Sequence, residues 1–147
     1  MRNTLHGHPG AGADDALLVT PDQMKWTPLD VIPGAQAAVL SGDLRKKEPF
    51  VMEVRWPEGS KIAPHWHTNT ERVTILSGSG TVGMGDSLDL KKGMPMPAGA
   101  YAEMPGNMHH WFVARTALVM LIEGEGPFDV NFVRPEDDPT KKAATKQ

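Results

Sequence analysis

His65, His67 and Glu71 stand in the stretch GSKIAPHWHTNTERVTILSG, which runs from Gly59 to Gly78. Residues two apart on an extended strand project to the same side, so His65 and His67 point together while Trp66 points away. Two imidazoles and a carboxylate suit a borderline divalent cation. Thr68, Asn69 and Thr70 are turn-forming types, which lets Glu71 begin a returning strand beside the histidines. An H-x-H pair alone is commonplace on protein surfaces. The carboxylate and the flanking glycines turn this one into a candidate metal site.

These residues follow Gly59-x5-His65-x-His67-x3-Glu71-x6-Gly78, and in that spacing the segment resembles the first motif of the cupins without a departure. The second cupin motif is looser. Gly99 and Pro105 are spaced as that motif has them, which puts its glycine on Asn107 and its histidine on His110. Asparagine tolerates a left-handed turn better than other non-glycine residues, so that replacement is mild. A rival register uses Gly106 and makes His109 the ligand. The family's asparagine would fall on Ala114, a real departure. The resemblance covers roughly residues 31–139, including GEGPFDV and RPEDDP, and is closest to small single-domain bacterial cupins. It implies an all-β jelly-roll barrel (a double-stranded β-helix) around one metal ion, usually as a homodimer, with His65, His67, Glu71 and His110 as ligands. It implies no substrate.

The elements that must position these residues read as strands and turns. Glycine and proline are frequent (15 and 13), and apolar runs are short. Phe50, Met52, Val54 and Trp56 alternate with Val51, Glu53 and Arg55, the period of a half-buried antiparallel strand. Further strands are expected over 35–40, 61–67, 71–76, 80–84, 101–104, 109–114, 118–123 and 130–133. Thr20, Pro21 and Gln23 predict one helical turn through Met24 and Trp26, stopped by Pro28. Many short strands with almost no helix indicate a sandwich or barrel. The expected organisation is a loose arm over 1–17, one barrel domain over 18–135 and a solvated tail over 136–147. His6 and His8 form a second H-x-H in the arm, without a carboxylate or glycine frame.

Within such a barrel Glu71, Val73 and Ile75 share a face, as do His110, Phe112 and Ala114. A carboxylate would then enter an aliphatic cavity. Three imidazoles and one carboxylate leave positions open for substrate on Fe, Mn, Ni, Cu or Zn. Glu123 shares a face with Val119 and Leu121. If that face looks inward, Glu123 stands at the barrel mouth as an acid–base candidate, the alternative being a solvated strand end. Tyr101 and Glu103 are weaker pocket candidates. Trp66 and Trp111 adjoin ligands but point away, as packing residues would. Met84, Met94, Met96, Met104 and Met108 read as flexible packing rather than a copper path, since their spacing is irregular.

Composition narrows the function classes. A chain of 147 residues fits one domain. A net charge of −3 gives no electrostatic case for nucleic acid. The absence of cysteine excludes disulfides, thiol catalysis and thiolate ligands. No run approaches the ~18 apolar residues of a membrane-spanning helix. The start lacks the apolar core of a secretory signal, so a cytoplasmic protein is the direct reading, with a periplasmic one if an export signal was removed. The expected function is a mononuclear metalloenzyme of oxygenase type acting on a small organic molecule. A cupin lyase or isomerase, and a metal-dependent binding or sensing module without turnover, are the alternatives.

Overall fold

The structure, a computed structural model, describes the main chain of residues 3–4 and all of residues 15–141. His6 and His8 lie outside them, as do residues 142–147 of the expected tail. The chain forms β1 (Asn3–Thr4), β2 (Leu17–Leu18), β3 (Thr27–Pro28), β4 (Gln36–Ser41), β5 (Pro49–Trp56), β6 (Lys61–Trp66) and β7 (Glu71–Ser77). It continues through β8 (Gly80–Met84), β9 (Met94–Met96), β10 (Tyr101–Met104), β11 (His110–Ala114), β12 (Leu118–Glu125) and β13 (Asn131–Phe132). A six-stranded sheet in the order β10-β7-β12-β5-β4-β3 faces a five-stranded one in the order β13-β6-β11-β8-β9. Every pairing is antiparallel, and strands adjacent in space are often distant in sequence, as in a jelly roll.

Alternation explains the core. On β5, Phe50, Met52, Val54 and Trp56 are buried, and directly opposite them on β12 stand Gly124, Ile122, Met120 and Leu118. Cross-strand partners share a face, so Met120 and Ile122 turn inward with Val73 and Ile75 of β7. The opposing sheet contributes Ile62, Val82, Phe112 and Ala114. Burying each large apolar side chain is worth about 1.5–3 kcal/mol.

One strand breaks its own alternation. Phe112 of β11 faces Ile62 of β6, while His110 faces His65. Two steps on β11 thus match three on β6, a bulge that leaves both Ile62 and His65 buried on the cavity side. Trp111, between those positions, lies on the other side, 1% exposed. Its ring covers Gly83, where an added Cβ would stand 2.0 Å from the indole.

The turn expected through Trp26 is shorter. A 3-10 turn spans Pro21–Gln23, with the Thr20 amide donating to Gln23 Oε1 at 3.0 Å. Met24 is already extended, and Thr27–Pro28 pairs with β4. Trp26 instead lies beneath the Arg55 guanidinium, whose central carbon is 3.8 Å from the ring centre. Among the described residues, no helix is long and apolar enough to cross a membrane.

Candidate metal centre

Four predicted residues meet at one end of the barrel. His65 is the penultimate residue of β6, His67 follows the strand, Glu71 opens β7 and His110 opens β11. All four are buried, between 3% and 8% exposed. The ring centres of His65 and His110 are 4.2 Å apart, those of His65 and His67 4.9 Å, and those of His67 and His110 5.2 Å. One nitrogen from each ring falls within 4.8 Å of the others. Glu71 Oε1 lies 3.4 Å from His67 Nε2 and 3.3 Å from His110 Nε2.

The tautomers follow from the partners. Each Nδ1 faces a main-chain carbonyl: His65 that of Ala63 at 2.8 Å, His67 that of Asp129 at 2.6 Å, and His110 that of Met108 at 3.0 Å. A carbonyl oxygen only accepts, so Nδ1 carries the proton and Nε2 presents a lone pair. Nε2 of His67 and of His110 are buried without a hydrogen-bond partner; Glu71 is near them but poorly aligned for one. Buried polar atoms are rarely left so, and convergent imidazole lone pairs beside a carboxylate fit a divalent cation. Three buried histidines here could hold a metal ion.

Charge states agree at His65 and Glu71, whereas His67 holds a second proton more readily beside Glu71 in the metal-free protein. Burial, then the neighbouring His110 and His67 rings, push the pKa of His65 down to about 3, which keeps it neutral. Burial alone would raise Glu71, but the adjacent His110 and His67 rings hold its carboxyl well below the usual carboxylate range. Burial opposes charge on His67, and Glu71 outweighs it and raises the pKa.

The turn that delivers His110 depends on two small residues. Asn107 has φ 68°, the only left-handed non-glycine among the described residues, and its amide donates to the His67 carbonyl at 2.7 Å. A Cβ on Gly106 would stand 2.4 Å from the Thr68 oxygen. His109 points outward and is hydrogen-bonded to Asp86.

The other candidates lie elsewhere. Glu123 sits opposite Val51 of β5 and Arg72 of β7 and is absent from the cavity wall, where Ile122 stands instead. The condition that its face look inward is not met, because the β5 pairing turns Met120 and Ile122 in. Tyr101 and Glu103 are exposed and bonded to each other on the outer face. Met96 and Met104 line the cavity with Met52 and Met120, whereas Met84, Met94 and Met108 are exposed.

The GEGPFDV segment, which the sequence marked by resemblance but not as part of the site, covers it. Phe128 stacks on His67, ring centres 4.9 Å apart, and Phe128 and Val130 line the cavity. Asp129 turns back between them. Its carboxylate accepts from the Thr68 amide (2.9 Å), the Thr68 hydroxyl (2.5 Å) and Asn131 Nδ2 (3.0 Å). Apart from that resemblance, its only sequence signal is Phe-Asp-Val alternation, and no spacing connects it to a histidine 62 residues away.

A jelly-roll barrel with this histidine cluster at one end defines a cupin. The ChrR cupin-like domain profile matches residues 14–129, and the chain belongs to that family. The polyketide cyclase RemF from Streptomyces resistomycificus superposes with a TM-score of 0.69 at 16% identity, over 86% of this chain and 92% of that one. A candidate acetylacetone dioxygenase from Methylibium petroleiphilum PM1 gives 0.63 at 20% identity, over 83% of each chain. A cupin-like protein from Thermotoga maritima gives 0.59 at 18%, over 80% of this chain and 92% of that one. At such identities the likeness concerns the fold. No curated protein matches the sequence.

Proposed function

We propose that the chain is a mononuclear divalent-metal cupin of oxygenase type, with His65, His67, His110 and Glu71 holding the ion. The observation that carries this reading is that each ring turns Nδ1 to a main-chain carbonyl while the three rings cluster, one nitrogen from each within 4.8 Å of the others, beside Glu71. Bound there, a redox-active ion such as iron would supply dioxygen chemistry on a substrate occupying its open positions.

The chain's own residues hold, shield and orient. Phe128 and Val130 exclude water from the ring cluster. Glu71 offsets the charge of the cation. Apart from the four proposed ligands, no ionisable group among the described residues lines the cavity, so proton transfer would fall to Glu71 or to the substrate itself. A lyase or isomerase needs a placed acid or base, and the lack of one beyond the proposed ligands favours the oxygenase reading. The same poverty of acid–base groups supports the second reading, a binding module without turnover.

Elemental analysis tests the site. About one metal ion per chain is expected in the wild type, lost in His67→Ala and in His110→Ala and kept in His109→Ala. A wild type that takes up no added divalent ion would sink the reading. Oxygen uptake by the iron-loaded protein across a panel of enolisable ketones then separates turnover from binding.

A further inference from the structure

The four proposed ligands are only 3% to 8% exposed, so an organic substrate reaches the histidines only when something over them moves. Two stretches outside the strands contribute apolar wall. Leu29 and Val31 line the cavity at one end, in the segment that enters β4 at Gln36, level with Arg55 of β5. Phe128 and Val130 line it at the other, where Gly124 stands opposite both Glu71 and Phe50. The second end holds the histidines. There the half-buried Phe128 ring stacks on His67 with planes 26° apart, and meets Phe50 edge-on at 5.5 Å. Phe132 stands near His65, but it pairs into β6 and does not line the cavity.

The main chain around Phe128 is held from two sides. The Phe128 amide donates to the Leu44 carbonyl at 2.7 Å, and the Gly126 amide to that of Glu48 at 2.9 Å. From the β6–β7 turn, Asn69 Nδ2 donates to the Glu125 carbonyl at 3.0 Å, and the Thr68 amide and hydroxyl donate to the Asp129 carboxylate. Lifting the segment as a lid breaks these bonds together. The Phe128 ring makes none of them. Packing alone holds it, and a change of rotamer frees it without moving the backbone.

We propose that Phe128 is the gate of the metal centre: its ring swings off His67 to admit a ligand, and the main chain of 126–130 stays bonded. What the gate serves rests on the metal-centre reading; the passage itself does not, so the test uses metal-stripped protein. Diethyl pyrocarbonate acylates unprotonated imidazole, and peptide mapping by mass spectrometry reads each histidine separately. At one mildly alkaline pH, above the ordinary imidazole range, His109 should react fast in every variant, its side chain being 37% exposed. His65, His67 and His110 should react slowly in the wild type. A gate open about 10% of the time or less makes them at least roughly tenfold slower than an open site. Phe128→Ala should restore that factor, and Phe128→Trp should slow them further. Val31→Ala, at the other end, should leave the rates unchanged, as should Thr68→Val with Asn69→Ala, which loosens the backbone.

Wild-type rates equal to that of His109, or no acceleration in Phe128→Ala, overturn the proposal. So does a matching acceleration in Val31→Ala, which places the entrance at the far end, or in the Thr68 and Asn69 variant, which makes the whole segment a lid. If Phe128→Ala does not fold, Phe128→Trp decides: slower reaction supports the gate and an unchanged rate rejects it. Protein that takes up no metal defeats the centre and leaves this result standing.

Discussion

A histidine whose Nδ1 proton is given to a main-chain carbonyl can neither rotate nor exchange tautomers freely, and His65, His67 and His110 all share that constraint. Burial and neighbours set the titration of His65 and His67 in metal-free protein. His65, held down to about 3 against an ordinary 6.5, makes the unfolded chain the better proton acceptor as pH falls, so stability drops from about pH 6.5 towards 3. His67, raised, works the opposite way: its contribution is complete below 6.5 and is lost as pH climbs through its folded value. The larger His65 shift prevails, and below 4.5 the loss of Glu71's contribution adds to it. Thermal unfolding of metal-stripped protein should show the midpoint falling between pH 7 and 4, and a flat or rising midpoint would contradict this account. Sequence made His65, His67, Glu71 and Asn107 legible because spacing and side-chain type were enough. It could not choose between His109 and His110, since strand parity there depends on where the Asn107 turn ends.

Two strands mark the limit of alternation as a guide. On β12 both faces are apolar, Val119 and Leu121 against Met120 and Ile122, so the pattern carries no sign, and only the partner strand β5 decides that Glu123 faces out. On β6 the bulge brings Ile62 and His65 to one side despite their odd separation, and nothing in KIAPHW announces it. β5 was legible because its polar residues fall on one face. The segment across the site was not, as its anchors are long-range. Asp129 fixes that segment to Thr68 and lends its carbonyl to His67. Asp129→Ala should therefore weaken metal affinity about 10-fold or more while leaving the fold intact, as measured by competition with a chromogenic chelator. Unchanged affinity would mean that the main chain holds His67 unaided.

At the scale of the molecule, the histidine cluster faces the interior between the sheets, and the outer face of β7 and β10 takes no part in it. On that surface Leu76 and Tyr101 are 46% and 53% exposed beside the Arg72–Glu103 ion pair. We propose that a second copy covers this face. Light scattering should give twice the 16.0 kDa chain mass, and Leu76→Glu should return the monomer; a wild-type monomer at high concentration would end the idea. The main-chain carbonyls that orient the three rings carry a further implication. A side-chain acceptor can be removed by one mutation, whereas a peptide oxygen is supplied by any residue that keeps the backbone path. The orientation of the three rings is thus less exposed to sequence drift than one set by side-chain acceptors would be. Side chains around such a cluster can change while the aim of its rings stays still.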